Sequence, residues 1–222
     1  MEIRNQIKFF SELLAKYNCR LVAVSKTHPV GSIREAYDAG QRIFGENKVQ
    51  EMMEKQPLLP ADIQWHLIGH LQTNKVKYIA PYVALIHSVD SAKLLEEINK
   101  QAKKVNRVIE CLFQIYIAKE EAKFGFDEEE LLAYIQSDEF KNLSSIKIIG
   151  LMGMATFTDN KDQVRNEFHS LKNLFDKIQK MNLSSNIEMK ELSMGMTQDY
   201  QMAMEEGSTL VRIGTAIFGT RN

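Results

Sequence analysis

Several large protein classes are excluded by what the 222-residue chain has little of. It has only two cysteines, Cys19 and Cys111, and their separation gives neither a disulfide framework nor a paired-thiol redox or metal motif, as suits a reducing cytosol. Charge of one sign is also missing. Twenty-eight Lys and Arg against 29 Asp and Glu give a net charge of −1, so no basic footprint points to nucleic acid. No apolar run approaches the about 20 residues that span a bilayer, so no membrane is expected as a partner. No low-complexity stretch or linker marks a domain boundary. The segment Met1–Tyr17 mixes charges with Ile3, Ile7, Phe10 and Leu14 at helical spacing, which reads as an amphipathic helix and not a signal peptide. These absences leave a soluble, cytoplasmic protein whose 44% hydrophobic content is ample for a core.

What is present is alternation. Strands are expected at Leu21–Ser25, Arg42–Gly45, Gln64–Ile68, Ala84–Ser88, Arg107–Ile117, Ile146–Met152, Glu191–Ser193 and Thr209–Ile213. Helices are expected between them at Ser32–Ala39, from Glu46-Asn47 to before Pro57, Leu71–Ile79, Asp90-Ser91 to Lys104, Glu128–Ser137, Asp162–Lys180 and Gln198–Glu205. About eight strand–helix repeats in one stretch of about 200–250 residues imply α/β architecture, a (β/α)8 TIM barrel in a single domain over 1–222 with an extra N-terminal helix. A doubly wound open sheet is the rival. The lack of a glycine-rich dinucleotide fingerprint after the first strand weighs against it.

In such a barrel the chemistry lies at the C-terminal strand ends. Those ends carry Lys26, Gly45-Glu46-Asn47, Gly69-His70, His87-Ser88, Tyr116, Met154-Ala155-Thr156, Ser193–Met196 and Arg212–Thr215. Lys26 follows the apolar run Leu21–Val24 directly, where partial desolvation lowers an amine's pKa and makes it a nucleophile toward aldehydes. An ordinary surface lysine at a strand end is the plainer alternative. The last two strand ends combine glycine with a hydroxyl residue, a pattern suited to binding an anion, although either glycine alone also serves a tight turn. First and eighth strands are neighbours in a closed barrel, so an anion there lies near Lys26. The ligand is then a small aldehyde bearing a phosphate, and pyridoxal 5′-phosphate is the obvious candidate. Arg212, beside it, is a permanent cation that would keep the ring nitrogen unprotonated and weaken the ring as an electron sink.

The motifs Val24-Ser25-Lys26-Thr27, Phe44–Glu51, Trp65–Gln72, Ile86–Asp90, Gly150–Met154, Leu192–Met196 and Val211–Gly219 follow one another in a single order. Together the sequence resembles the pyridoxal phosphate homeostasis family, single-domain relatives of the alanine racemase barrel, over essentially its whole length. The resemblance implies that Lys26 is the Schiff-base lysine and that Asn47 touches the cofactor near its ring. It also implies that Ser193, Gly214 and Thr215 hold the phosphate and that Arg212 faces the ring nitrogen. Tyr116 departs from the family's asparagine, and Thr197-Gln198 from its Ser-Asp. The implied function is a monomeric carrier of the cofactor in vitamin B6 homeostasis, without turnover, that passes the cofactor to apo-enzymes dependent on it.

The rivals are an amino-acid racemase and a cofactor-free Schiff-base aldolase. Racemisation needs a second base. The racemase relatives take it from a second domain, and no further domain pattern follows the barrel before Asn222, leaving Tyr116, Tyr200 and His70 as substitutes. His66 and His70 have poor metal spacing and are expected in structural roles. The methionines 152, 154, 194 and 196 are expected to pack strands around the barrel mouth. Lys119–Gly125 is a charged loop and Glu128–Glu130 an acidic first helical turn.

Overall fold

A computed structural model of the chain describes residues 2–118 and 124–219. Eight parallel strands close into a barrel in sequence order. They are β1 Arg20–Val24, β2 Ile43–Glu46, β3 Gln64–Leu67, β4 Leu85–Val89, β5 Ile109–Gln114, β6 Ile146–Met152, β7 Ile187–Met196 and β8 Leu210–Ile213. The pairing of Arg20–Ala23 on β1 with Leu210–Ile213 on β8 seals the sheet. The helices are α1 Ile3–Ala15, α2 Val30–Asp38, α3 Val49–Lys55, α4 Val76–Ile79, α5 Ala92–Lys104, α6 Glu128–Tyr134, α7 Asp138–Lys141, α8 Lys161–Gln179, α9 Tyr200–Glu205 and α10 Thr215–Phe218. Among the described residues no helix is long and apolar enough to cross a membrane.

Strand alternation divides the core in two. Leu21 and Ala23 join the large apolar layer between sheet and helices, whereas Val22 belongs to a small cluster with Ile43, Leu85, Leu112, Ile149, Met152 and Leu210. That cluster draws on strands alone, so it fills the barrel interior. The same parity carries Gly45, His87 and Arg212 into the next interior layer, two residues beyond Ile43, Leu85 and Leu210. A Cβ on Gly45 would lie 2.9 Å from Val22 Cγ1 and 3.0 Å from Ile68 Cδ1, so the layer closes only with glycine there.

Several boundaries differ from those expected. Glu46 does not open a helix: it ends β2, fully buried, and α3 begins only after the extended Lys48. Leu71 precedes a short 3-10 turn, Thr73–Lys75, which leaves α4 a single turn. β5 is shorter than Arg107–Ile117, because the Arg107 amide donates back to the Ala102 carbonyl in α5 and Ile115 forms only an isolated bridge with Phe126. β7 is longer than Glu191–Ser193, extended by the alternating Ile187–Lys190. The segment Glu128–Ser137 ends early because the Ser137 hydroxyl caps α7 through the Phe140 amide. Of the charged loop Lys119–Gly125, residues 119–123 lie outside those described.

Candidate active site

A cavity of about 750 Å³ opens at the C-terminal end of the barrel. Lys26, half-buried just past β1, lies on its wall with Asn47 from the β2 loop. The loops after β6, β7 and β8 supply Met154–Thr156, Met196–Asp199 and Gly214-Thr215, and Arg212 reaches the wall from the interior layer. Five of the six residues singled out from the sequence therefore meet on one surface. Two close approaches hold it together. A Cβ on Gly214 would sit 3.1 Å from the Val24 carbonyl oxygen, so glycine lets the last loop lie against the strand that carries Lys26. A Cβ on Gly69 would sit 2.4 Å from the Asn47 carbonyl oxygen, so the β3 loop backs Asn47 directly.

Ser193 stands apart from the other five. Its side chain is fully buried and is not on the cavity wall; the end of β7 and the loop after it offer Met196, Thr197 and Gln198 there instead. Ser193 belongs to a chain of hydrogen bonds that begins at Arg212. One guanidinium nitrogen donates to the Ser193 carbonyl at 2.9 Å and to its Oγ at 2.5 Å, and the other donates to the Gly153 carbonyl at 3.0 Å. Ser193 Oγ lies 2.9 Å from His87 Nδ1, and His87 Nε2 lies 2.9 Å from His66 Nδ1. Arginine can only donate, so Ser193 Oγ accepts from Arg212. The ring tautomers set which partner donates along Ser193–His87–His66. Burial lowers the affinity of His66 for a proton to a pKa of about 3 and pushes that of His87 well below the ordinary value, so both rings are neutral. Burial also lowers Arg212 to about 10, which leaves it charged at neutral pH, with Asp199 opposing the shift.

Asp199 is half-buried on the wall and accepts the Met196 amide at 2.6 Å, which fixes the β7 loop. Burial raises its pKa. A second network lies behind Lys26. The Lys55 ammonium on α3 donates to the Ser25 carbonyl at 2.7 Å, to Glu46 Oε1 at 2.8 Å and to Glu51 Oε1 at 2.6 Å. Ser25 Oγ donates to the same Glu46 oxygen at 2.6 Å, and the Thr27 amide donates to Glu51. Neither this cluster nor the His66–His87 pair was identified from the sequence. The usable signals were the Glu51/Lys55 spacing of four on one helix and two histidines at interior parity.

The remaining candidates fall elsewhere. His70 is on the surface, 3.0 Å from Asp90, and His66 serves the interior chain; no cluster of metal-ligand type exists among the described residues. Met152 and Met194 are fully buried packing, whereas Met154 and Met196 are exposed on the cavity wall. Tyr116 and His70 are not on that wall, and Tyr200 packs its ring edge-on to Phe10 at 5.5 Å.

The family model described as "Alanine racemase, N-terminal domain" matches residues 1–222. The chain belongs to that family. A "Pyridoxal phosphate homeostasis protein" of Aquifex aeolicus is 42% identical over 206 residues, which is 92% of this chain and 88% of the relative. On that identity the chain also belongs to the pyridoxal phosphate homeostasis family. PipY of Synechococcus elongatus, 35% identical, superposes with a TM-score of 0.91 without pyridoxal phosphate and 0.87 with it bound, covering 98% of this chain and 100% of that one. Alanine racemase of Streptomyces lavendulae shares the fold, with a TM-score of 0.79 at 15% identity, and this chain spans 57% of its length.

Proposed function

We propose that this protein binds pyridoxal 5′-phosphate reversibly as a Schiff base on Lys26 and acts in vitamin B6 homeostasis as a carrier without catalytic turnover. The observation that carries the reading is the convergence of a half-buried lysine, a buried arginine and two hydroxyl-bearing loops on one cavity. These residues fit the group. When bound, the cofactor supplies an aldehyde for the lysine and a conjugated ring able to accept charge. Thr197, Gly214 and Thr215 hold the phosphate. The Thr215 and Ala216 amides, which donate to no acceptor among the described residues, support that assignment. Ser193 contributes through Arg212, not through the anion. Asn47, braced by Gly69, lies beside the ring.

Arg212 governs the absence of turnover. Its charge at the cavity wall disfavours a proton on any aromatic nitrogen beside it. Breaking a Cα–H bond then calls for two well-placed bases, and Tyr116, Tyr200 and His70 are all off the wall. The whole chain works as one cytoplasmic domain and as a monomer. Its partners are the cofactor and the apo-enzymes that receive it, and not nucleic acid or membrane. Borohydride reduction followed by peptide mapping should put the pyridoxyl mass on Lys26. The same mass on Lys48 or Lys75 instead rejects the assignment.

A further inference from the structure

The network behind Lys26 takes no part in that reading, yet it grips the chain on both sides of the lysine. Ser25 is held twice, its carbonyl by Lys55 and its hydroxyl by Glu46. Thr27 is held by its amide on Glu51. Thr27 also has φ +66°, a left-handed conformation that a β-branched residue rarely adopts. Lys55 bridges the two carboxylates, so one buried ammonium ties both flanks together. Lys55 and Glu46 are buried, and a buried ion pair of this kind adds little net stability against well-packed apolar residues, so its worth lies in fixing geometry. Backbone strain at a site persists only where the surroundings over-determine it. Here the over-determined turn is the one that carries the cavity lysine.

We infer that Lys55, Glu46 and Glu51 are positioning residues that clamp the Ser25–Thr27 turn and so present the Lys26 amine to an aldehyde in the cavity. This inference rests on the Schiff-base reading above. In the step it serves, the Lys26 nitrogen adds to the aldehyde carbon and C=N replaces C=O. The oxygen leaves as water with both hydrogens of the neutral amine. The clamp changes none of these bonds. It sets the reach and direction of the nitrogen, and small misplacements of a reacting group are costly.

The test compares the parent protein with Glu51→Ala and Glu51→Gln, chosen because Lys55→Met risks the fold. Pyridoxal 5′-phosphate is titrated and the visible imine band recorded. In parallel, 4′-deoxypyridoxine 5′-phosphate, which has no aldehyde, reports binding to the cavity alone. Glu51→Ala should need about tenfold more cofactor for half-maximal imine. Glu51→Gln, which keeps an acceptor for the Thr27 amide, should recover most of that loss, and the aldehyde-free analogue should bind all three proteins alike. Unchanged imine formation in Glu51→Ala overturns the clamp, and so does a parallel loss of analogue binding. A parent protein that forms no imine rejects the Schiff-base reading instead. The clamp is then decided by hydrogen exchange at the Thr27 amide without cofactor, which Glu51→Ala should accelerate and which overturns the clamp if unchanged.

Discussion

Two buried polar networks lie under the same cavity, and they are built on opposite electrostatic plans. Behind Lys26, one ammonium is met by two carboxylates, and the cluster holds the carbonyl and hydroxyl of Ser25 and the amide of Thr27. Behind Arg212, a guanidinium is met by two carbonyls and a hydroxyl, the hydroxyl is backed in turn by two neutral imidazoles, and no carboxylate enters the chain of hydrogen bonds. The first plan more than offsets its one cation with two carboxylates and fixes a turn. The second satisfies the donors of a cation and leaves its charge intact. A protein that must hold an aldehyde on a lysine needs the former. One that must keep a ring nitrogen free of protons needs the latter.

The contrast is sharpest in what substitution costs. Lys55→Met removes the cation of the first network and leaves Glu46 a buried carboxylate whose second oxygen already has no hydrogen-bond partner among the described residues. The expected loss is about 3–5 kcal/mol of folding stability, read from urea unfolding. His87→Leu breaks a chain of neutral groups, so the expected loss is smaller, about 1–3 kcal/mol. Equal losses would mean that the two networks do not differ in kind.

The smallest effect concerns pH, where the networks have opposite signs. His66 and His87 bind protons less well folded than unfolded, so the unfolded chain takes up more protons below the ordinary value of 6.5. Their contribution is complete above pH 6.5 and is lost as pH falls toward about 3. Glu46 is raised by burial above its ordinary value of 4.5, so its contribution is complete below pH 4.5 and is lost as pH rises through the raised value. Unfolding midpoints between pH 6.5 and 4.5 should therefore fall less steeply in His87→Leu and more steeply in Glu46→Gln than in the parent. The same change of slope in both variants would erase the distinction.

Much of this was legible in the sequence because strand ends are. The alternation of apolar runs with amphipathic helices implied the barrel, and Lys26, Asn47, Arg212, Gly214 and Thr215 all lie at strand ends that face one cavity. Ser193 is harder to place from the sequence, because β7 does not keep step with β8. The register shifts between Ser193 and Met196, so counting along the strand does not tell which hydroxyl reaches the mouth. Thr197 does, and Ser193 is turned inward. Glu46 misled for a related reason: an acid after a short strand reads as a helix start, and only the position of Lys55, nine residues on, makes its burial tolerable. The clamp as a whole joins β1, β2 and α3, and such three-way contacts leave no periodic trace in a chain.

The central claim is that this barrel holds its cofactor on Lys26 without using it on a substrate. Deuterium exchange at Cα tests this directly. Several amino acids are followed by NMR with cofactor-loaded protein and with Lys26→Ala treated in the same way. The account predicts no exchange attributable to Lys26 beyond the slow background of free cofactor. Fast exchange that disappears in Lys26→Ala would contradict it and make the protein an enzyme.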